Sequence, residues 1–200
     1  MAEIVPTRGA ALALAEEKRF LETGYELLDE KRMLLATTLL GELADWRAAR
    51  ADYRVAMAAA VAALKAAVAR HGLDSLGRYP SPVHPSLGLA LFTRNFLGLD
   101  LLALSGAPQA AVAAQDALDA SLQAEDCRQA FAALVPLVAR IALHSQNIRR
   151  LIAEYRVTER RARALQNVIL PETVTALALT TDYLDQSDQE EAVRIRNARR

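Results

Sequence analysis

One helical stripe of apolar side chains limits the possible folds of this chain more than any other feature. The segment from about Thr7 to Arg70 contains no proline, and a stripe at a mean spacing of about 3.6 residues runs along it. Twelve of its fourteen positions are apolar, and the other two are arginines. The stripe consists of Leu21, Tyr25, Leu28, Arg32, Leu35, Leu39, Leu43, Trp46, Arg50, Tyr53, Met57, Val61, Leu64 and Val68. A helix of this length, roughly 90 Å at about 1.5 Å per residue, needs a partner helix to cover the stripe.

A second stripe lies between about Glu125 and Asp185 and supplies that partner. Its spacing alternates between three and four residues, which is the heptad pattern of a coiled coil. The stripe consists of Phe131, Leu134, Val138, Ile141, Ser145, Ile148, Ile152, Tyr155, Glu159 and Ala162. Pro136 and Pro171 lie inside this segment, and each removes one helical hydrogen bond. We therefore expect bends at the two prolines rather than helix ends.

The residues between the two stripes have a different character. His71-Gly72 is predicted to end the first helix, with Gly72 as a left-handed cap, and three prolines up to Pro85 then indicate an extended loop. The apolar stretch 87–105 suits two short strands joined near Thr93 to Asn95, although its leucines are also compatible with a helix. Residues 108–122 are predicted to form a short helix that begins with proline.

These patterns predict a mainly α protein, a long antiparallel two-helix coiled coil with a small inserted foot. The foot comprises a short β-hairpin and a short helix. We place the first long helix at 7–70, the foot at 71–124, the second long helix at 125–190 and a basic tail at 191–200. The foot reverses the chain, so the two stripes can cover each other and both termini lie at one end.

Composition and charge exclude several classes of function. Twenty-four basic residues balance twenty-four acidic ones, and a chain without basic excess is a poor candidate for binding nucleic acid. Cys127 is the single cysteine, so no intramolecular disulfide can form and a reducing compartment fits. No uninterrupted apolar run approaches the roughly 20 residues of a bilayer span, and the first eight residues lack a signal-peptide core. We expect a cytoplasmic protein that does not insert into a membrane.

The sequence contains none of the usual motifs of catalysis. It has no glycine-rich phosphate loop, nucleophile elbow or zinc-ligand spacing, and no cofactor is expected. His71, His84 and His144 are isolated from one another in sequence, which favours structural roles over metal binding or catalysis. Cys127 lies one helical turn before Phe131, as a buried thiol would. A helical-bundle enzyme would need inward-facing pairs such as Glu-x-x-His, and these are missing.

Two motifs near the ends of the chain carry a family resemblance. The first is Pro6-Thr7-Arg8, then Leu12, then a stretch from Gly24-Tyr-Glu-Leu-Leu to Lys31-Arg32. The second runs from Glu159-Arg-Arg-Ala-Arg-Ala-Leu to Ile169-Leu-Pro171. In this order and at this separation, they resemble the corresponding segments of the D subunit of V-type and A-type rotary ATPases, over nearly the whole chain.

The resemblance implies a mechanical role without catalysis. The D subunit is the central rotor shaft, which stands inside a ring of alternating catalytic and non-catalytic subunits. The foot would lie near the small rotor subunit, called the F subunit, and the funnel-shaped subunit that docks on the membrane ring. The chain would then be cytoplasmic and peripheral to the membrane as part of the complex. The competing interpretation is an unrelated coiled-coil adaptor or scaffold, which would share the stripes but would not require the terminal motifs.

We identify two sets of residues as candidate partner contacts. The first set is charged and belongs to the two motifs: Lys31, Arg32, Arg160, Arg161 and Arg163. These last three arginines belong to a band between Arg140 and Arg163 that holds seven arginines. The second set is apolar and belongs to the foot: Leu91, Phe92 and Phe96. Apolar side chains that lie outside both stripes must be buried locally or against a partner.

Overall fold

The fold was described from a computed structural model, which covers residues 6–77, 90–105 and 121–199. Helix α1 spans Arg8–Gly77, strands β1 and β2 span Ala90–Phe96 and Leu99–Ser105, and helix α2 spans Leu122–Ala164. A π-helical turn, Leu165–Ile169, joins α2 to helix α3, Leu170–Ala198. Two long helical stretches and a small antiparallel hairpin confirm the predicted fold class.

Helix α1 begins at Arg8, one residue after the predicted start, and continues past the predicted end at residue 70. Thr7 is the N-cap, because its hydroxyl oxygen accepts a hydrogen bond from the Ala10 amide at 3.1 Å. Gly72 interrupts the helix with φ 74° and ψ 161°, a conformation that favours glycine because a side chain would be strained there. One further helical stretch follows Gly72 and ends at Gly77.

The second helical stretch runs through both internal prolines. Pro136 lies within α2, and the helix continues on either side of it. Pro171 follows the π-helical turn, in which the amide of Leu170 donates to the carbonyl of Leu165, five residues earlier. A π-turn relaxes the local hydrogen-bond ladder next to a residue that lacks an amide hydrogen. The prediction that neither proline ends the helical stretch is therefore confirmed.

The hairpin is present, but its turn lies further along the chain than predicted. The register pairs Phe96 with Leu99 and Ala90 with Ser105, so the two-residue turn is Leu97-Gly98 rather than near Thr93 to Asn95. Both turn residues have positive φ, 53° and 84°, as a type I′ hairpin turn requires. The side-chain oxygen of Asn95 accepts from the Gly98 amide at 3.3 Å and stabilises the turn.

The described chain divides into two compact units, each of which contains parts of both long helical stretches. The first unit contains the chain up to Leu35 and from Glu154 onward. Within it, Lys31 forms an ion pair with Glu154 at 2.6 Å, and Arg8 forms one with Asp188 at 2.9 Å. The partner's residue number rises as the α1 residue's number falls, so the helices in this unit run antiparallel.

The second unit comprises Ala36–Ala153 and includes the hairpin. The Trp46 indole N–H donates to the Ser145 hydroxyl at 2.9 Å, and His71 contacts the hydroxyl of Ser121 near the start of α2. The same Ser121 oxygen accepts from the Ala124 amide at 3.2 Å, so it also caps α2. The helices are antiparallel in this unit too.

The buried positions follow the first predicted stripe closely. Leu35 is fully buried, and most of the remaining stripe residues are half-buried. Arg50 is the exception, because its guanidinium lies over the Trp46 ring at 5.1 Å and stays exposed. Fully buried alanines, Ala49, Ala60 and Ala67, lie beside the later part of the stripe. Alanine occupies points of close approach where a larger side chain would not fit.

The second stripe departs from prediction at several positions. Phe131 and Val138 are exposed to 37% and 49%, whereas Asn147 and Thr158 are buried. Two further buried threonines, Thr173 and Thr180, donate their hydroxyls within the helix to the carbonyls of Ile169 and Ala176 at 3.0 Å and 2.8 Å. A polar residue can therefore occupy the helix contact when its own helix satisfies it.

Two parts of the predicted foot lie outside the described residues. They are the proline-containing loop, including Pro80, Pro82, Pro85 and His84, and most of the short helix predicted for 108–122.

Both long helical stretches, Arg8–Gly77 and Leu122–Ala198, contain an 18-residue window of mean hydropathy 1.2 with at most two charged residues. By length and composition alone, each could cross a membrane. The sequence-based expectation rested on uninterrupted apolar runs, and these windows tolerate two charges. Long alanine-rich helices of soluble coiled coils pass the same test, so the windows alone do not identify membrane spans.

Candidate interaction surfaces

The N-terminal candidate cations are engaged within the chain. The Lys31 ammonium lies 2.6 Å from Glu154, and both side chains are 28% exposed. Arg32 forms an ion pair with Asp29, three residues earlier on the same helix. Partial burial reduces screening of the Lys31–Glu154 pair by water and salt, so it helps to set the register between the helices. Its position between two helices gives Lys31 a structural role.

The arginines at the far end of α2 differ in their environments. Arg163 lies 2.6 Å from Glu159, and its side chain is 67% exposed. Arg160 and Arg161 are also exposed, and neither forms an ion pair with any residue that the structure describes. Two adjacent exposed guanidinium groups can form bidentate hydrogen bonds with carboxylates or single ones with carbonyl groups.

The apolar candidates of the foot all lie on β1. Leu91 and Phe92 are 61% and 49% exposed, while Phe96 is half-buried beside the turn. Residues on neighbouring positions of a strand point to opposite faces, so Leu91 and Phe92 expose apolar surface on both sides of the hairpin. The foot candidates belong to the second unit and the charged candidates to the first.

A buried polar cluster in the second unit was missed by the sequence analysis. We use this name for Glu42 and Trp46 of α1 together with His144, Ser145 and Asn147 of α2. Glu42 is central: one carboxylate oxygen lies 2.7 Å from His144 Nδ1, and the other accepts from the Asn147 amide at 3.3 Å. The Glu42 and His144 side chains are only 14% and 16% exposed. A carboxylate this buried requires such partners.

The polar cluster also holds the hairpin. The Asn147 side-chain NH2 donates to the Leu102 carbonyl at 2.9 Å, and its oxygen accepts from the Leu102 amide at 2.8 Å. One turn later, Arg150 donates to the carbonyl of Asp100. A signal was present in the sequence, where His144, Ser145 and Asn147 form a polar run amid the apolar stripe, but Glu42 gave none.

Two ionisable groups near the start of α2 are perturbed. Hydrogen bonds from Arg128 and Gln129 lower the pKa of Glu125, which lies in the first helical turn. Cys127 is buried, as predicted, and this burial raises the pKa of its thiol. A raised pKa keeps the thiol protonated, so this environment does not activate Cys127 as a nucleophile.

Metal coordination has no visible basis in the described part of the chain, where no group of three or more His, Cys, Asp or Glu side chains is placed to hold an ion. The polar cluster offers one carboxylate and one imidazole, and these are already bonded to each other. Its chemistry is that of a structural junction.

Comparison with known proteins identifies the family. The family model for the ATP synthase D subunit matches residues 10–200. The V-type ATP synthase D subunit of Thermotoga neapolitana is 23% identical, with 96% of this chain and 95% of the relative covered. The V-type D subunit of Anaeromyxobacter dehalogenans strain 2CP-C is 28% identical, with 100% and 97% covered, and the A-type D subunit of Pyrococcus abyssi is 24% identical, with 98% and 94% covered. The chain therefore belongs to the ATP synthase D-subunit family of V-type and A-type ATPases.

Proposed function

We propose that this chain is the central rotor shaft of a V/A-type ATPase or ATP synthase. In this role it couples ATP turnover in the catalytic ring to ion translocation through the membrane ring. The observation that carries the proposal is the family assignment over residues 10–200, together with two long helical stretches that pair antiparallel within each unit. The chain itself acts without catalysis, and the ATP sites belong to its partners.

Close packing supports a role in transmitting torque. Leu35, Ala60 and Leu151 are completely buried, and interiors packed at such density resist deformation. The Lys31–Glu154 ion pair and the Trp46–Ser145 hydrogen bond join the helices at defined positions in their respective units. These contacts oppose sliding of one helix along the other, which a part under torsional load requires.

Rotation of the shaft is coupled to the catalytic sites because the shaft contacts each site differently. A single shaft inside a ring of repeated subunits meets each catalytic interface with a different side of its surface. Each interface then has a different preferred conformation, and rotation changes which interface prefers which state. The exposed Arg160 and Arg161 are proposed to meet acidic or carbonyl-lined surfaces of the ring as a sliding contact. Several weak, screened contacts permit movement better than one strong contact.

We assign docking of the small rotor F subunit to the hairpin. Leu91 and Phe92 expose apolar side chains on β1, whose outer edge carries no further strand among the described residues. An exposed edge with apolar side chains suits addition of a partner's strand or packing beneath its helix. The funnel-shaped membrane-docking subunit is proposed to lie near the same end, which keeps this chain peripheral to the membrane.

The central experiment reconstitutes the complex. The tagged chain is co-expressed with the other ATPase subunits, and co-purifying proteins are quantified together with ATP-driven ion pumping. Stoichiometric recovery of ring subunits and the F subunit, and pumping that depends on this chain, are expected. Recovery of unrelated proteins in place of ATPase subunits would instead support an adaptor or scaffold. Calorimetry on the isolated chain is expected to detect no tight ATP binding.

Two surface substitutions test the assignment of the hairpin. Leu91→Ser with Phe92→Ser removes exposed apolar area without touching the helix contacts, so the fold measured by circular dichroism is expected to persist. Retention of the F subunit in a pull-down is expected to fall. Leu73→Ser is the matched control, since Leu73 is 72% exposed on α1 in the same unit. Unchanged retention by the double variant would move the docking surface elsewhere.

A further inference from the structure

The outer edge of β2 is occupied by a side chain where a neighbouring strand would normally lie. In an antiparallel hairpin, only every second pair of facing residues exchanges backbone hydrogen bonds. Because the turn is closed by the bonded pair Phe96 and Leu99, the pair Arg94 and Leu101 is also bonded, whereas the pair Thr93 and Leu102 is not. The amide and carbonyl of Leu102 therefore point away from β1. The Asn147 side chain bonds to both of them, at 2.8 Å and 2.9 Å, as the backbone of another strand would.

The contact is buried and is made to backbone atoms. Asn147 is 1% exposed, and its NH2 group also donates to Glu42, which in turn meets His144. The contact depends on the position of the β2 backbone and not on which side chain Leu102 carries. The position of the hairpin is thus tied to a junction between the two long helices.

The hairpin's other attachments also involve β2. Arg150 donates to the Asp100 carbonyl, and Leu101 is the fully buried residue among the described hairpin side chains. On β1, by contrast, the residues from Leu91 to Asn95 are all exposed. The hairpin is therefore held along one strand, while its internal ladder is independent of the helices.

From this arrangement, we propose that Asn147 is a positioning residue that latches the hairpin to α2, and that the hairpin docks and releases as an intact unit at this latch. Release leaves the β1–β2 ladder bonded and frees the outer edge of β2. Glu42 orients the Asn147 amide, so the state of the junction between the helices determines whether the latch is closed. This inference does not depend on the proposed role in an ATPase.

Amide hydrogen exchange resolved to single residues tests the latch. In the wild-type chain the Leu102 amide is expected to be protected, although it is not part of the ladder. Asn147→Ala is expected to raise its exchange rate about tenfold or more, while the ladder amides of Arg94 and Leu101 change much less. Arg149→Ala is the matched control, because Arg149 is exposed on the same helix and no described bond joins it to the hairpin or to Glu42.

A second variant supplies a signature that a merely structural role would not produce. In Asn147→Asp the new carboxylate can accept from the Leu102 amide but, when ionised, cannot donate to the Leu102 carbonyl. The charged residues next to this contact are Glu42 on α1, Arg150 on α2 and Asp100 on β2, whose carbonyl accepts from Arg150. Because Asn147→Asp keeps the acceptor for the Leu102 amide and loses only the donor to the Leu102 carbonyl, the Leu102 amide is expected to exchange more slowly in this variant than in Asn147→Ala.

Three results would overturn the proposal. Unchanged exchange at Leu102 in Asn147→Ala would show that the amide is protected by something else. An equal rise of the Leu102 exchange rate in the Arg149→Ala control would show that the effect is not specific to Asn147. Equal loss of protection at Leu102 and at the ladder amides, in both Asn147 variants, would show that the hairpin melts rather than releases.

Discussion

His144 Nδ1 lies 2.7 Å from a carboxylate oxygen of Glu42, although 102 residues separate them in the chain. The pair links α1 to α2 inside the second unit, and Asn147 connects it to the hairpin. Glu42 is thus bonded directly to α2 and is connected through Asn147 to the hairpin. Loss of that carboxylate leaves several buried polar groups without their partner, and this makes Glu42 a sensitive position for stability.

Glu42→Ala is expected to lower the free energy of unfolding by about 1–3 kcal/mol, the cost of leaving buried donors unsatisfied. Chemical denaturation followed by circular dichroism measures this change. Asp45→Ala is the control, because Asp45 is exposed on the same helix and its loss is expected to stay within about 0.5 kcal/mol. Equal effects of the two substitutions would contradict the central role of Glu42.

The close approach of the helices is tested at Ala60, which is 0% exposed. Ala60→Leu forces extra methylene groups into a filled contact and is expected to lower the free energy of unfolding by about 1–3 kcal/mol. Ala59→Leu adds the same atoms at an exposed neighbouring position and is expected to be nearly neutral. If Ala60→Leu proved as stable as wild type, the helices could not be closely packed there.

The sequence predicted the two long helices well because an apolar repeat that continues over many residues is a strong signal. Leu35 and Ala162 were placed correctly in the helix contact by spacing alone. The hairpin turn was misplaced because Leu97-Gly98 is an unusual type I′ pair, in which a leucine adopts positive φ. The polar cluster was missed because the Glu42–His144 contact joins residues from distant parts of the chain. No local pattern encodes such a contact.

Cys127 provides a probe of native packing with a defined pH dependence. Burial raises the pKa of its thiol, so the folded protein binds this proton more tightly than the unfolded protein. The stability that the protonated thiol contributes is present in full below the pKa of the unfolded state. It is lost as the pH rises through the pKa of the folded state. Alkylation at about pH 8 is expected to be much slower in the native chain than in denaturant. Comparable native and denatured rates, measured by mass spectrometry, would show that the thiol is accessible.

The antiparallel register of the first unit is tested by cross-linking. In antiparallel helices, the Lys31–Glu154 and Arg8–Asp188 ion pairs each predict which residue faces Leu28. The two predictions place that residue between Val157 and Val168. Ala162 is buried within that stretch, so cysteines at Leu28 and Ala162 are expected to form a disulfide under mild oxidation in a Cys127→Ser background. Cysteines at Leu28 and the exposed Arg161 serve as the control. Efficient bonding of Leu28 only to a cysteine outside this stretch, for example at Leu170, would indicate a shifted register.

The proposed sliding contact of Arg160 and Arg161 predicts graded effects in the assembled ATPase. Each guanidinium is exposed and forms no ion pair with the described residues, so each contributes a screened and replaceable contact. Arg160→Ala or Arg161→Ala alone is expected to reduce the ratio of ions pumped to ATP hydrolysed only mildly. Reversing both charges to Glu is expected to reduce it strongly at low ionic strength and less at high ionic strength.

Arg54→Ala provides the control for this series, because Arg54 is exposed on α1 in the other unit. Pumping and hydrolysis are measured on the same purified complexes, which separates loss of coupling from loss of assembly. If one single arginine substitution abolished assembly, the two arginines would form a docking site. A sliding contact spreads its free energy over many positions, so no single side chain in it can be indispensable.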